Sequence, residues 1–265
     1  MADQETQNLK GDLQKEFIKT AETSQKDLAT LQEMMQAGLM YGHKKTKTNP
    51  RFKEHYVHST RNGIEIIDLN KTLPAMGKAI EFINGMTKQG GGVIFVATQP
   101  AAKEAVRNLA KKHNFSYINE RWLGGLLTNS KVLFQRIEYF KKIQADFEKG
   151  EFDKYTKKER VMVNRDIHRM RKMFTGLENL TKIPALIFVV DASIKGHKTA
   201  IREARRLKIP IMAVIDSDDD PVIIDYPIPA NDHAKMSIEW IMDRISNSLE
   251  SDKSPESISN KSIVD

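Results

Sequence analysis

The sequence predicts an α/β protein: a parallel sheet covered by helices, with an antiparallel coiled-coil helical hairpin inserted into it. Three observations carry this. Short, fully apolar β-branched runs alternate with amphipathic helical stretches, as expected when both faces of a parallel sheet are buried. Residues 129–182 break the alternation and read as two helices with no strand between them. The stretch Asn119–Ser130 marks the change, with tandem Gly124 and Gly125 to turn the backbone and Thr128, Asn129 and Ser130 to cap the next helix.

The elements follow in order. Residues 1–23 are polar and aperiodic and read as a flexible tail. Ser24 to Asp27 resembles a capping box, after which Leu28, Leu31, Met35 and Leu39 recur at helical spacing. Tyr41 to Thr60 reads as a loop, and Ile64–Leu69 as a buried strand. A helix is expected over Pro74–Met86, a strand over Gly92–Thr98 and a helix from Pro100 through His113, Pro100 suiting a first helical turn. Phe115–Ile118 is a short strand leading into the junction. Past the insertion come a strand over Pro184–Val190, a helix over Lys195–Leu207 and a strand over Ile209–Ile215. A last segment over Val222–Ile228 leads to a helix from Asp232 to Leu249, and residues 251–265 form a Ser-rich tail. The α/β domain is thus discontinuous, 24–128 with 183–250, around a hairpin at 129–182.

Within the hairpin, Leu133, Ile137, Phe140 and Phe147 line one helix, with Gln144 interrupting the seam. Val163, Ile167, Met170, Phe174 and Leu177 line the other without a break. A repeat of 3.5 residues argues that the two stripes pack on each other. Thr156 and Glu159 form a capping box for the second helix, and Gly150 lies in the connecting turn.

Charge and composition narrow the function. The formal net charge is +7, with no cysteine and no apolar run long enough for a membrane helix. The opening residues lack the apolar core of a signal peptide, which suggests a cytoplasmic protein. The positive charge is concentrated in two places. Lys44, Lys45, Lys47, Arg51, Lys53 and Arg61 crowd one loop, opposed there by Glu54. The hairpin holds fourteen Lys or Arg against eight Asp or Glu, which leaves the rest of the chain mildly acidic. Tyr41, His43, Phe52, His55, Tyr56 and His58 interleave with the loop's cations, a mixture that neutralises phosphates and stacks on bases. Candidate RNA-binding residues are therefore Lys44, Lys45, Lys47, Arg51, Lys53 and Arg61 in the loop, Arg121 and Trp122 at the junction, and Arg136, Arg165, Arg169, Arg171 and Lys172 on the hairpin.

Catalytic patterns are scarce. Gly90-Gly91-Gly92 precedes a strand, the wrong side for a phosphate cradle. Gly196-His197-Lys198-Thr199 resembles the end of a P-loop with an inserted His. There is no nucleophile elbow and no His-Glu-x-x-His. The alternative of a nucleotide or small-molecule enzyme rests on the fold alone, and no cofactor is expected. His55 and His58 lack a third metal ligand at a suitable spacing. Asp191, Asp216, Asp218, Asp219 and Asp220 stand at strand ends, where carboxylates cap helices or face water; with His43 they leave a cation site open.

Longer motifs then join these readings. Ala37–His43, Asn49-Pro50, Arg61–Ile64, Ile67–Thr72, Arg121-Trp-Leu-Gly-Gly125, Leu127–Asn129, Phe188–Asp191 and Asp225–Asp232 stand in one family's order. From about Leu31 to Ile245 the chain resembles the family of the second-numbered protein of the bacterial small ribosomal subunit. The resemblance implies a flavodoxin-like sheet and a structural, non-catalytic role on small-subunit ribosomal RNA. It also implies contact with neighbouring ribosomal proteins, including the large one that captures messenger RNA, and no membrane or DNA partner. The chain departs from the family in a longer amino-terminal tail, in Ala230 where a Gly is usual, and in the run Asp218–Asp220.

Overall fold

Two sheets, eight strands in all, are set among eight α-helices in a computed structural model that describes residues 25–251. The larger sheet holds β4 (Val93–Val96), β5 (Ser116–Ile118), β6 (Leu186–Val190), β7 (Ile211–Ile215) and β8 (Tyr226–Pro229). Its order is β5-β4-β6-β7-β8 and every pairing is parallel. Taking those strands alone, that is the 2-1-3-4-5 order of the flavodoxin-like arrangement. All residues of β4, β6 and β7 are buried, because crossover helices cover both faces.

The covering helices are α1 (Gln25–Gln36), α3 (Leu69–Lys88), α4 (Pro100–Lys112), α7 (Lys195–Arg206) and α8 (Lys235–Ser251). Side chains alternate across the sheet into two cores. One joins Phe95, Phe188 and Val214 to α1, α3, α4 and α8; the other joins Ile94, Val189 and Ala213 to α7 and the hairpin. Of the expected tails and capping box, residues 1–24 and 252–265 lie outside the described residues.

Three expectations need correction. The loop over Tyr41–Thr60 is structured: β1 (Tyr41–Lys44), α2 (Pro50–Tyr56) and β2 (Val57–Arg61) fold with β3 (Ile64–Ile67) into an antiparallel sheet of order β1-β3-β2. Only β3 is apolar enough to read as a strand, and its pairing carries the two polar ones. Second, α3 starts at Leu69, not Pro74, since the Asp68 carboxylate accepts from the Asn70 N–H and caps the helix there. Pro74 therefore sits inside the helix. Third, α8 starts at Lys235, because Asn231 takes the His233 and Ala234 N–H groups in a turn first.

The insertion between β5 and β6 consists of α5 (Ser130–Glu148) and α6 (Lys157–Phe174). Leu133, Ile137 and Phe140 of α5 are buried with Ile167 and Phe174 of α6, and Leu177 follows in the same core. Phe147, Val163 and Met170 pack half-buried against them. The rings of Phe140 and Phe174 lie 5.8 Å apart. A connection as short as 149–156 can only return the chain, so the helices run antiparallel. Thr156 and Glu159 complete the capping box reciprocally.

Candidate nucleic-acid interface

Glu203 of α7 fixes where the hairpin leaves the domain. Its carboxylate is buried, and it accepts from Trp122 Nε1 at 3.1 Å and from the backbone N–H groups of Gly125 at 2.8 Å, Leu127 at 3.1 Å and Thr128 at 3.3 Å. The Thr128 hydroxyl also points to it, at 3.4 Å. A tight turn gathers these donors, and Gly125 makes the turn at φ +86°. A buried carboxylate is tolerated only when its lone pairs are filled, and here backbone amides fill them.

This geometry corrects two readings. Trp122 is 3% exposed and packs in the core under α7, so its ring offers no surface for a base to stack on. Nor does Asn129 cap α5 through its side chain, and the nearby Thr128 hydroxyl serves Glu203 instead. Glu203 itself goes unnoticed in the sequence, because within Ile201-Arg-Glu-Ala-Arg-Arg206 a glutamate reads as an exposed partner for arginine.

A second clamp holds the other end of the insertion. Gly176 follows α6 at φ +91°, and its carbonyl accepts from the Tyr117 N–H of edge strand β5 at 2.8 Å. A Cβ on Gly176 would stand 2.6 Å from the Tyr117 carbonyl oxygen. Both ends of the hairpin are thus hydrogen-bonded to the domain.

The remaining hairpin candidates are exposed. Arg165, Arg169 and Lys172 recur at i, i+4 and i+7, opposite the buried Ile167–Phe174 face. Arg169 has a local partner, Asp166 at 3.5 Å, and Lys172 reaches Glu120 at 3.7 Å. Arg136 of α5 and Arg165 and Arg171 of α6 make no ion pair among the described residues, nor does exposed Arg121 at the junction. Arg171, Lys172 and His168 line a cleft of about 340 Å³ with Arg107 and Lys111 of α4 and with Tyr117, Asn119 and Glu120. Arg107 and Lys111 are cations that the sequence pattern does not single out. They follow the ordinary solvent pattern of α4, and only the fold sets them opposite α6. Glu120 keeps its carboxylate pKa low through Lys103, its nearest hydrogen-bond partner.

The loop candidates are arranged differently. Lys44, Lys45 and Lys47 are exposed at the end of β1 and in the turn after it, with no ion-pair partner among the described residues. Arg51 pairs with Asp220 at 3.1 Å and Lys53 lies 3.7 Å from Glu65, while Arg61 closes β2 half-buried. β1 and the start of α2 sit on the acidic carboxyl edge of the large sheet. The His43 N–H donates to Ser217 Oγ at 2.8 Å, and the Asn49 N–H to the Ser217 carbonyl at 2.7 Å. His43 Nδ1 lies 3.0 Å from Asp216 Oδ2, a hydrogen bond that raises the imidazole pKa.

The crevice between the carboxyl ends of β4 and β6, where this strand order binds nucleotides, is filled by the protein's own side chains. His197 is fully buried there, with Nδ1 2.6 Å from the Asp191 carbonyl and Nε2 3.0 Å from Thr98 Oγ1. Burial lowers its pKa. Gln99 donates to the Asp191 carboxylate across the same crevice. The P-loop-like Gly196-His197 is thereby core packing. No described helix is long and apolar enough to cross a membrane.

Comparison with known proteins finds relatives over most of the chain. A family model described as ribosomal protein S2 matches residues 34–251. The small ribosomal subunit protein uS2 of Thermus thermophilus is 40% identical over 215 residues, covering 81% of this chain and 83% of that protein. Those of Dictyoglomus turgidum and Coprothermobacter proteolyticus are 39% and 37% identical over 219 and 222 residues. They cover 83% and 84% of this chain, and 88% and 82% of their own lengths.

Proposed function

The chain belongs to the ribosomal protein S2 family, and from that membership we propose that its two basic elements are the surfaces by which it holds ribosomal RNA. As a member it is a structural constituent of the small ribosomal subunit, acting in translation on the ribosome in the cytoplasm; the family is not an enzyme class. The mechanism is electrostatic and geometric. Cations on a stiff element release counterions from folded RNA, and the rigid spacing between them selects its shape. The observation that carries this reading is the exposed row Arg165, Arg169 and Lys172 on the face of α6 turned from its partner helix. The filled crevice at His197 leaves the nucleotide-enzyme alternative without support.

Contact with neighbouring small-subunit proteins, the messenger-capturing one included, belongs to the same proposal. Tyr139, Tyr155, Val161 and Met162 on the hairpin are between 45% and 58% exposed and offer apolar surface to such a neighbour. The test is incorporation into small subunits on a sucrose gradient. The triple variant Arg165→Glu, Arg169→Glu, Arg171→Glu is expected to fall out of the subunit fraction as salt is raised, at an unchanged melting temperature. Normal incorporation of that variant at high salt would remove the hairpin from the RNA surface.

A further inference from the structure

The cleft between α4 and α6 has two positively charged walls that the chain leaves largely uncompensated. Arg107 and Lys111, one helical turn apart on α4, share a space of about 340 Å³ with Arg171 and Lys172 near the end of α6. All four residues are exposed, and Arg107, Lys111 and Arg171 make no ion pair among the described residues. The acid that lines the same cleft, Glu120, is already engaged, by Lys103 at 3.0 Å and Lys172 at 3.7 Å. The walls are also held in place. Residues of α4 pack in the core of the large sheet, and the bond from the Tyr117 N–H to the Gly176 carbonyl ties the end of α6 to β5. Cations at a fixed spacing bind without first being ordered.

One buried polar group lines the cleft without being satisfied. Asn119, 5% exposed, stands directly after β5. Its Nδ2 donates to the Lys103 carbonyl at 2.6 Å, and its Oδ1 is buried with no hydrogen-bond partner. Turning the amide over would set two oxygens against each other at Lys103, so the orphan is an acceptor. A buried acceptor without a donor costs stability until a ligand supplies one.

Resting on the RNA reading above, we propose that this cleft takes one unpaired ribonucleotide, its flanking phosphates on Arg107, Lys111, Arg171 and Lys172 and its ribose hydroxyl donating to Asn119 Oδ1. Ligand pockets run from about 300 to 1,000 Å³, and a space at the small end of that range admits a nucleotide but not a duplex. A nucleotide in a loop or bulge can be splayed into it. Several unpartnered cations suit an anion with more than one charge, and an unpartnered acceptor beside them calls for a hydroxyl on the same ligand. The ribose 2′-hydroxyl answers that need, and deoxyribose does not. The exposed His168 imidazole and the guanidiniums supply flat groups of the kind on which splayed bases stack. At the base of the hairpin the chain would thus recognise a single-stranded feature, while Arg165 and Arg169 farther along α6 meet backbone charge alone.

The test is fluorescence anisotropy of the full chain with a single-stranded RNA octamer, the same sequence as DNA, and an RNA duplex. The parent is expected to bind the RNA octamer about two- to tenfold tighter than the DNA octamer, the worth of one hydrogen bond. Arg107→Gln with Lys111→Gln, both at exposed sites, should flatten the octamer's salt slope by roughly 0.7 for each cation that meets a phosphate, at an unchanged melting temperature. Asn119→Ala should bring the RNA-to-DNA ratio close to one, a ratio read on folded protein whatever its stability. Arg165→Glu with Arg169→Glu, outside the cleft, should weaken the duplex and both octamers while leaving that ratio intact. Equal binding of RNA and DNA octamers by the parent would overturn the pocket and leave the hairpin's RNA reading standing, as would an unchanged ratio in Asn119→Ala or an unchanged slope in the Arg107, Lys111 variant. Displacement of the RNA octamer by polyglutamate of matched charge would mark a cleft for acidic peptide and overturn it too. No binding of octamer or duplex RNA by the parent would sink the RNA reading itself, and the pocket with it.

Discussion

The small sheet and the hairpin both display cations, but against opposite backgrounds. Beside the small sheet, Arg51 and Lys53 of α2 face Asp220 and Glu65, and β1 rests against buried Asp216. On the hairpin, Arg136, Arg165 and Arg171 stand without an ion-pair partner among the described residues, and the pairs that do form are solvent-exposed. A cation already neutralised by its own protein releases less on meeting a phosphate. On the proposed RNA reading the hairpin is therefore the stronger contributor per residue, and the small sheet would contribute mainly through Lys44, Lys45 and Lys47. The direction of the hairpin is fixed at its base, by Glu203 and Gly176.

That base is the place to break the contrast hardest. Glu203→Ala removes one carboxylate and orphans an indole N–H and three backbone N–H groups. A loss of about 3–5 kcal/mol is expected, as when one partner of a buried charged network is removed. Urea unfolding measures it. Glu203→Gln keeps one acceptor oxygen and should lose less. Equal stability of Glu203→Ala and the parent would mean that the junction is held elsewhere.

Next in size is Gly176→Ala. The residue sits at φ +91° and its new Cβ would meet the Tyr117 carbonyl oxygen at 2.6 Å, so strain and collision add. About 2–4 kcal/mol of destabilisation is expected. Amide hydrogen exchange should speed up at Tyr117, whose N–H bonds to the Gly176 carbonyl, before it does so in β6 and β7. Uniform acceleration across the large sheet would argue against a local clamp.

How much of this is legible in the sequence depends on whether a residue's role is local. Leu186–Val190 and Ile211–Ile215 announce buried strands by composition, and Thr156 with Glu159 announces a helix start, because each signal is complete within a few residues. Tyr41–Lys44 and Val57–Arg61 do not read as strands. Their His, Ser and Lys content is that of a loop, and only the pairing with Ile64–Ile67 supplies their hydrogen bonds. Pro74 misleads because proline usually opens a helix, yet Asp68 has already capped this one. Glu203 and Trp122 are a tertiary pair: their separation in sequence leaves no periodic trace, so the indole reads as an RNA-binding candidate and the acid as solvated.

A smaller effect separates the two basic elements directly. Replacing Lys44, Lys45 and Lys47 with Gln should flatten the salt dependence of RNA binding by up to roughly one log unit of slope for each lysine that meets a phosphate. Arg51→Gln should change it by less, since that guanidinium already pairs with Asp220 at 3.1 Å. Filter binding to small-subunit RNA across a salt series measures both. If Arg51→Gln flattens the slope as much per residue, the acidic edge does not screen its cations, and the contrast between the elements fails.

The smallest expected effect is the most discriminating, because it divides two adjacent residues. Arg121 is exposed without an ion-pair partner among the described residues, while Trp122 is buried and donates to Glu203. Arg121→Gln should leave unfolding within about 0.5 kcal/mol of the parent, as surface substitutions do, and remove a single phosphate interaction. Trp122→Phe should do the reverse: a destabilisation of about 1–3 kcal/mol from the vacated acceptor and the smaller ring, with the salt slope of the folded protein intact. The two variants thus exchange readouts across one peptide bond. Should Trp122→Phe instead weaken RNA binding at full stability, the indole must swing out to meet a base, and the junction would be a moving part in place of a fixed socket.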